Sequence, residues 1–241
     1  MLRSVQLPPE LVTLAAEPRL AALVLDVDGT LAPIVDRPED AAVPPATRTE
    51  LERLSSRYAL VACVSGRSGA EARRIVGVDG LEYVGSHGLE LAPEAAGWSE
   101  RLRAFAATVD WPVEDKGVTV SFHWRTAADQ GAAERSLQEV AERARAAGLD
   151  ARFGRKVLEL RPPVDADKGT AVRALVSDRG LRRALYAGDD TTDVDAFRAV
   201  HELELGVAVA VRSAELPSAV EANADVLVDG TAGMLDLLSL L

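Results

Sequence analysis

Aromatic residues make up only 4% of this 241-residue chain, against 48% hydrophobic residues of all kinds. The core must therefore be filled by Leu, Val and Ala rather than by rings, which is normal for a parallel sheet covered by helices. Cysteine is nearly absent. Cys63, alone and inside an apolar run, excludes an intramolecular disulfide and reads as a buried core thiol. Positive charge is also short: 27 Lys and Arg stand against 38 Asp and Glu, a net charge of −11. That balance argues against a nucleic-acid partner, whose phosphates would be repelled, but it leaves room for a small phosphate ester at a locally positive site. No uninterrupted apolar run is long enough to cross a bilayer. The stretch Leu11 to Leu25 is broken by Glu17, Pro18 and Arg19, so it fits neither a signal segment nor a membrane span. A soluble, cytoplasmic, monomeric protein is the expectation.

What the chain does have is apolar runs that stop at chemistry-bearing residues. Leu20 to Leu25 reads as a short buried strand delivering Asp26-Val27-Asp28-Gly29-Thr30. Side chains alternate along a strand, so Asp26 and Asp28 point the same way, at the carboxyl edge where open α/β sheets bind ligands. Taken alone, Asp28-Gly29 is equally an ordinary turn dipeptide. A second strand, Leu60 to Val64, ends in Ser65-Gly66-Arg67. Lys168-Gly169 opens a helical stretch from Thr170 to Val176. Another strand, Arg183 to Ala187, ends in Gly188-Asp189-Asp190-Thr191-Thr192-Asp193.

The order of elements predicts an α/β fold. Helices at about 46–56 and at 68–76, the second capped by Ser68 with Glu71 at its third position, alternate with the first strands. The last third repeats the rhythm with strands at 183–187, 205–209 and 226–228 and helices at 194–199, 217–221 and 231–240. This is a doubly wound, parallel, Rossmann-like sheet. The middle differs. A helix near 99–108, an alternating strand at 118–124, a charged amphipathic helix at 134–147 and short strands around Gly154 read as a smaller inserted α+β cap domain at 93–165. The core is then 1–92 and 166–241.

The ordered set of aspartate pair, serine, lysine and acidic cluster resembles the haloacid dehalogenase superfamily. A further layer, Ser86-His87-Gly88, Val120 to Arg125, Gly154 to Pro162 and Gly188 to Asp193, resembles the trehalose-6-phosphate phosphatases within it, from about Leu20 to Phe197. Departures are small: Val27 fills a spot often aromatic, and Val194 follows the acidic cluster where an acid is usual.

The resemblance implies a Mg²⁺-dependent phosphatase acting through an aspartyl-phosphate. Asp26 would be the nucleophile and Asp28 the acid and base, two roles that need separated protonation behaviour. Mg²⁺ would be held by the Asp26 side chain, the Asp28 carbonyl and Asp189, with Asp190 and Asp193 orienting neighbouring groups. The acidic cluster is also what a helix N-terminus accepts, and Asp193 fits both uses. Ser65 and the Gly66 N–H would hold a phosphate oxygen, although a lone serine there is usually a helix cap. Lys168 would face the phosphoryl group. Arg67 either contacts substrate or pairs with an acid of the loop, and His87 is either scaffold or ligand contact. Glu114, Lys116, His123, Arg125, Arg155 and Glu159 match positions that hold the sugar. Arg125 and Glu159 are the stronger of these, being charges set in apolar strands, whereas Lys116 also suits a turn. The alternatives are a phosphatase of another sugar or pseudo-disaccharide phosphate, or a phosphosugar mutase.

Overall fold

The computed structural model describes residues 7–35, 37–154, 156–213 and 216–241. Its contacts group into two units, Met1–Gly88 with Ala166–Leu241, and Leu89–Asp165.

The strands, in chain order, are β1 (Ala21–Leu25), β2 (Leu60–Val64), β3 (Glu82–Val84), β4 (Glu114–Asp115), β5 (Val120–His123), β6 (Asp150–Gly154), β7 (Val157–Arg161), β8 (Arg183–Gly188), β9 (Leu205–Arg212) and β10 (Val226–Asp229). The helices are α1 (Pro9–Ala16), α2 (Pro45–Arg57), α3 (Gly69–Val76), α4 (Pro93–Ala96), α5 (Ser99–Ala106), α6 (Gln130–Ala146), α7 (Lys168–Ser177), α8 (Val194–His201), α9 (Ser218–Ala222) and α10 (Gly230–Leu240).

The larger unit is a parallel sheet in the order β10-β9-β8-β1-β2-β3. Its strands are buried on both faces, as their near-continuous apolar sequence requires. Alternate residues of β1 enter different cores. Leu23 and Leu25 pack with Leu11 and Leu14 of α1, Leu51 and Leu54 of α2 and Leu237 and Leu238 of α10. Ala22 and Val24 pack on the other face with Val172 and Leu175 of α7 and Phe197 of α8. Truncating one of these leucines to alanine would cost about 2–5 kcal/mol. Chain order runs β1-β2-β3 to one side and β8-β9-β10 to the other. The topological switch point therefore lies at the carboxyl end of β1, where such sheets bind ligands.

The smaller unit is an antiparallel sheet, β4-β5-β7-β6. One face, carrying Val120, Phe122, Leu158 and Leu160, packs on Leu102 of α5 and on Leu137 and Ala141 of α6. Pairing of Ser121 with both Glu114 and Glu159 places those three residues on the opposite face.

Three differences from the sequence expectation have local causes. Helix α1 was not anticipated, and it starts with Pro9 in its first turn, a position that needs no N–H. Helix α6 starts at Gln130 rather than Glu134, because the Asp129 side chain accepts from the Ala132 N–H at 2.9 Å. Strand β9 continues past Val209 to Arg212, paired along its end with β10. No helix among the described residues is long and apolar enough to cross a membrane.

Candidate active site

Asp26 leaves the end of β1 with its N–H donating to the Ala187 carbonyl at 2.9 Å, which ties it to β8. The following turn closes through Leu31 and Ala32 N–H groups that both donate to the Val27 carbonyl. Gly29 is required in that turn twice over. Its φ is +82°, and a Cβ there would lie 2.0 Å from Asp189 Oδ2. The acid at the end of β8 thus sits directly against the Asp26–Asp28 turn.

Lys168 reaches this point from the first position of α7, whose start is set by a capping box. Asp167 Oδ1 accepts from the Thr170 N–H at 2.7 Å, and Thr170 Oγ1 accepts from the Asp167 N–H at 2.9 Å. Lys168 Nζ donates to Asp26 Oδ1 and to Asp193 Oδ1, each at 2.7 Å. All three residues are buried. Asp193 Oδ1 also accepts from the Tyr186 hydroxyl at 2.6 Å, while its Oδ2 accepts from the Asp189 and Asp190 N–H groups at 3.0 and 2.9 Å. Four donors therefore fill Asp193, which shapes the acidic loop and steadies Lys168 together. Asp190 turns away, its Oδ1 capping the Thr191 N–H at 2.7 Å.

The charges explain the titration of the cluster. Burial pulls the Lys168 ammonium down, but Asp193 and Asp26 outweigh it and hold the lysine above its ordinary value. Burial pushes the Asp26 carboxyl well above the usual carboxylate range despite Lys168, and Asp193 and Asp189 push it further. Burial, then the Asp193 carboxylate, lift Asp189 to about 7. One ammonium among these acids is too little positive charge.

Carboxylate oxygens of Asp26, Asp189 and Asp193 lie within 4.8 Å of one another, a grouping able to hold a metal ion. Asp193 already has four donors, so Asp26 and Asp189 are the freer ligands. A hard divalent cation with oxygen ligands fits both this donor set and its charge deficit.

On the other side of β1, Ser65 is buried at the end of β2, and its Oγ accepts from the Arg67 N–H at 3.1 Å. Arg67 forms the expected ion pair with an acid of the loop. Its Nε and Nη2 donate to both oxygens of Asp28 at 2.7 and 2.8 Å, and Nη1 donates to Glu71 at 2.6 Å. His87 lies after β3 with its imidazole against Gly66.

The smaller unit collects its own polar group. His123 Nε2 and Glu114 Oε2 are 2.8 Å apart. Lys116 Nζ lies 3.7 Å from Glu114 Oε2 and 3.9 Å from Glu159 Oε1, and the Thr119 hydroxyl donates to that same oxygen at 3.3 Å. Arg125 stands apart: it is exposed after β5, and its carbonyl accepts from Gln130. Arg155 lies outside the described residues. Sequence reasoning missed Tyr186 and Thr119. The available signal for Tyr186 was a hydroxyl within an otherwise apolar buried strand, which needs a partner.

Two segments, 24–112 and 107–231, match the family model described as trehalose-phosphatase. A trehalose-phosphate phosphatase of Mycobacterium avium is 41% identical over 212 residues, covering 76% of this chain and 52% of that protein. An uncharacterized glycosyl hydrolase of Mycobacterium tuberculosis is 38% identical over 218 residues, 79% of this chain but 16% of its own length. The chain thus spans about half of the first relative and a small part of the second. The solved C-terminal domain of a Candida albicans trehalose-6-phosphate phosphatase shares the fold, with a TM-score of 0.73, 23% identity and coverage of 96% and 95% of the two chains.

Proposed function

The chain belongs to the trehalose-phosphatase family, and from that premise we propose that it hydrolyses trehalose 6-phosphate to trehalose and phosphate. The observation that carries the reading is the asymmetry of Asp26. Lys168 occupies its Oδ1, and no donor among the described residues bonds to Oδ2, which is left to act as a nucleophile at the switch point.

Uncatalysed phosphate monoester hydrolysis is among the slowest of reactions, so positioning and charge neutralisation must supply most of the acceleration. In the first half-reaction Asp26 Oδ2 bonds to phosphorus, the bond to the sugar oxygen breaks, and Asp28 gives that oxygen a proton. In the second, Asp28 takes a proton from water, whose oxygen attacks phosphorus and releases Asp26 and inorganic phosphate. The resting Asp28 accepts from Arg67 at both oxygens. Because Arg67 occupies both oxygens, that pairing must loosen before Asp28 gives or takes a proton. Ser65 and the Gly66 N–H hold a phosphoryl oxygen, while Lys168 keeps Asp26 aimed and balances its charge.

Asp26, Asp189 and the Asp28 carbonyl would hold the cation, Mg²⁺. When bound, it offsets repulsion between the carboxylates and the phosphoryl oxygens. Glu114, Lys116, His123 and Glu159 are the sugar-recognising groups, since interlinked charges on one sheet face offer several directional contacts to hydroxyls. A hydrolytic dehalogenase would use Asp26 but would need neither Asp28 as acid nor Asp189.

The test is free phosphate measured from a panel of sugar phosphates in Mg²⁺ buffer, with Asp26→Asn as control. Trehalose 6-phosphate should be the preferred substrate, and Asp26→Asn should abolish release. Preference for another sugar phosphate would overturn the substrate. Isomerised sugar phosphate without free phosphate would make the protein a mutase.

A further inference from the structure

After β3 the backbone takes three consecutive residues at positive φ: Ser86 at 51°, His87 at 55° and Gly88 at 98°. For Ser and His this is the left-handed region, where Cβ crowds the next carbonyl, so the surroundings must hold them there. Those surroundings are the Ser65-Gly66-Arg67 loop. The Ser86 N–H donates to the Arg67 carbonyl at 2.8 Å, and the His87 N–H donates to the Ser65 carbonyl at 2.9 Å. The carbonyls on either side of Gly66 are thus both tied to the turn. The imidazole completes the clamp. A Cβ at position 66 would lie 2.7 Å from both Cε1 and Nε2 of His87, so the ring occupies the space that any side chain there would need.

Peptide planarity converts this clamp into a direction. The Ser65 carbonyl and the Gly66 N–H belong to one trans peptide unit and point opposite ways. Since the carbonyl is turned toward His87, the Gly66 N–H is turned away from it, and it has no hydrogen-bond partner among the described residues. An unpartnered N–H held in a fixed direction beside the buried Ser65 is a prepared anion donor.

We propose that His87 is a positioning residue: its left-handed backbone and its ring set the Ser65–Gly66 peptide so that the Gly66 N–H faces a phosphoryl oxygen. The proposal rests on the phosphate-ester reading above and names the device that aims one of its donors.

The experiment is calorimetric titration of the whole protein with inorganic phosphate in Mg²⁺ buffer, with circular dichroism melts to establish folding. His87→Val, whose β-branched side chain resists positive φ, should weaken phosphate binding by roughly tenfold, about what a lost hydrogen bond to a charged group costs. His87→Asn, which tolerates that region, should lose clearly less. Gly66→Ala should also weaken binding, because its methyl meets the imidazole, and adding His87→Gly to Gly66→Ala should recover part of the loss. This rescue decides the matter if His87→Val fails to fold. Wild-type affinity in His87→Val, or strictly additive losses in the double variant, would overturn the positioning role while leaving the phosphatase reading intact. A wild-type protein that neither binds phosphate nor releases it from any ester would overturn the phosphatase reading itself.

Discussion

Replacing Lys168 with Met removes the cation from the middle of a buried carboxylate cluster while keeping most of the side-chain length. Nζ lies 2.7 Å from both Asp26 Oδ1 and Asp193 Oδ1, and the three side chains are 3%, 6% and 0% exposed. Withdrawing one partner from a buried ion pair costs ~3–5 kcal/mol, because the charge left behind has neither solvent nor counter-ion. For a chain of 241 residues, each kcal/mol moves Tm by ~2–4 °C, so Lys168→Met should melt ~6–20 °C below wild type at pH 8 in chelator. The pH dependence has a definite sign. Without Lys168, the Asp26 carboxyl, already raised by burial, is raised further. A group whose folded pKa exceeds its unfolded value stabilises fully below the unfolded value, and that stabilisation is lost as pH rises through the folded one. The deficit should therefore shrink toward pH 5 and grow toward pH 8. Near-UV circular dichroism melts at both pH values measure it. A Tm difference below ~2 °C at pH 8, or a deficit that grows as pH falls, would refute the reasoning.

The same sign applies to Asp189, held at about 7 by burial and the Asp193 carboxylate. In chelator the wild-type protein should lose stability as pH rises through about 7, Mg²⁺ should restore it, and Asp189→Asn should shrink both effects, leaving the share that Asp26 contributes; Tm against pH with and without Mg²⁺ reads this out. Tyr186→Phe deletes the hydroxyl donor to buried Asp193, so stability should fall by ~1–3 kcal/mol in urea titration, with kcat reduced more than KM is raised. Glu159→Ala should lower kcat/KM on trehalose 6-phosphate by roughly tenfold while sparing a small aryl phosphate, and equal losses on both would place Glu159 in support of the fold.

Much of the fold was legible in the chain because its signals are local. The five-residue apolar run of β1 and the break at Gly29 lie within a few residues of Asp26, and the cap of α3 is Ser68 accepting from the Glu71 N–H. Alternation of βα units in the first and last thirds announced a parallel sheet, and the antiparallel middle announced a second unit, because strand and helix periodicities are properties of short windows. Helix α1 escaped notice: eight residues with only Leu11 and Leu14 buried make too short a pattern to separate from an irregular apolar stretch.

The sequence by itself determined which residue types stand at the strand ends, and so the chemistry available there. Which of them meet was decided by the tertiary structure. Arg67 reaches both oxygens of Asp28 because β1 and β2 lie side by side in register, with Leu25 opposite Cys63. Lys168 lies far from Asp26 in the chain and reaches it only because α7 packs on β1 and β8 with its first turn at their carboxyl ends. Tyr186 carried only the signal of a hydroxyl in an apolar strand, and its partner was decided when the loop after β8 folded Asp193 back onto it. Caps and periodicity depend on neighbours a turn apart, whereas these contacts depend on strand order and register, which no short window of sequence contains.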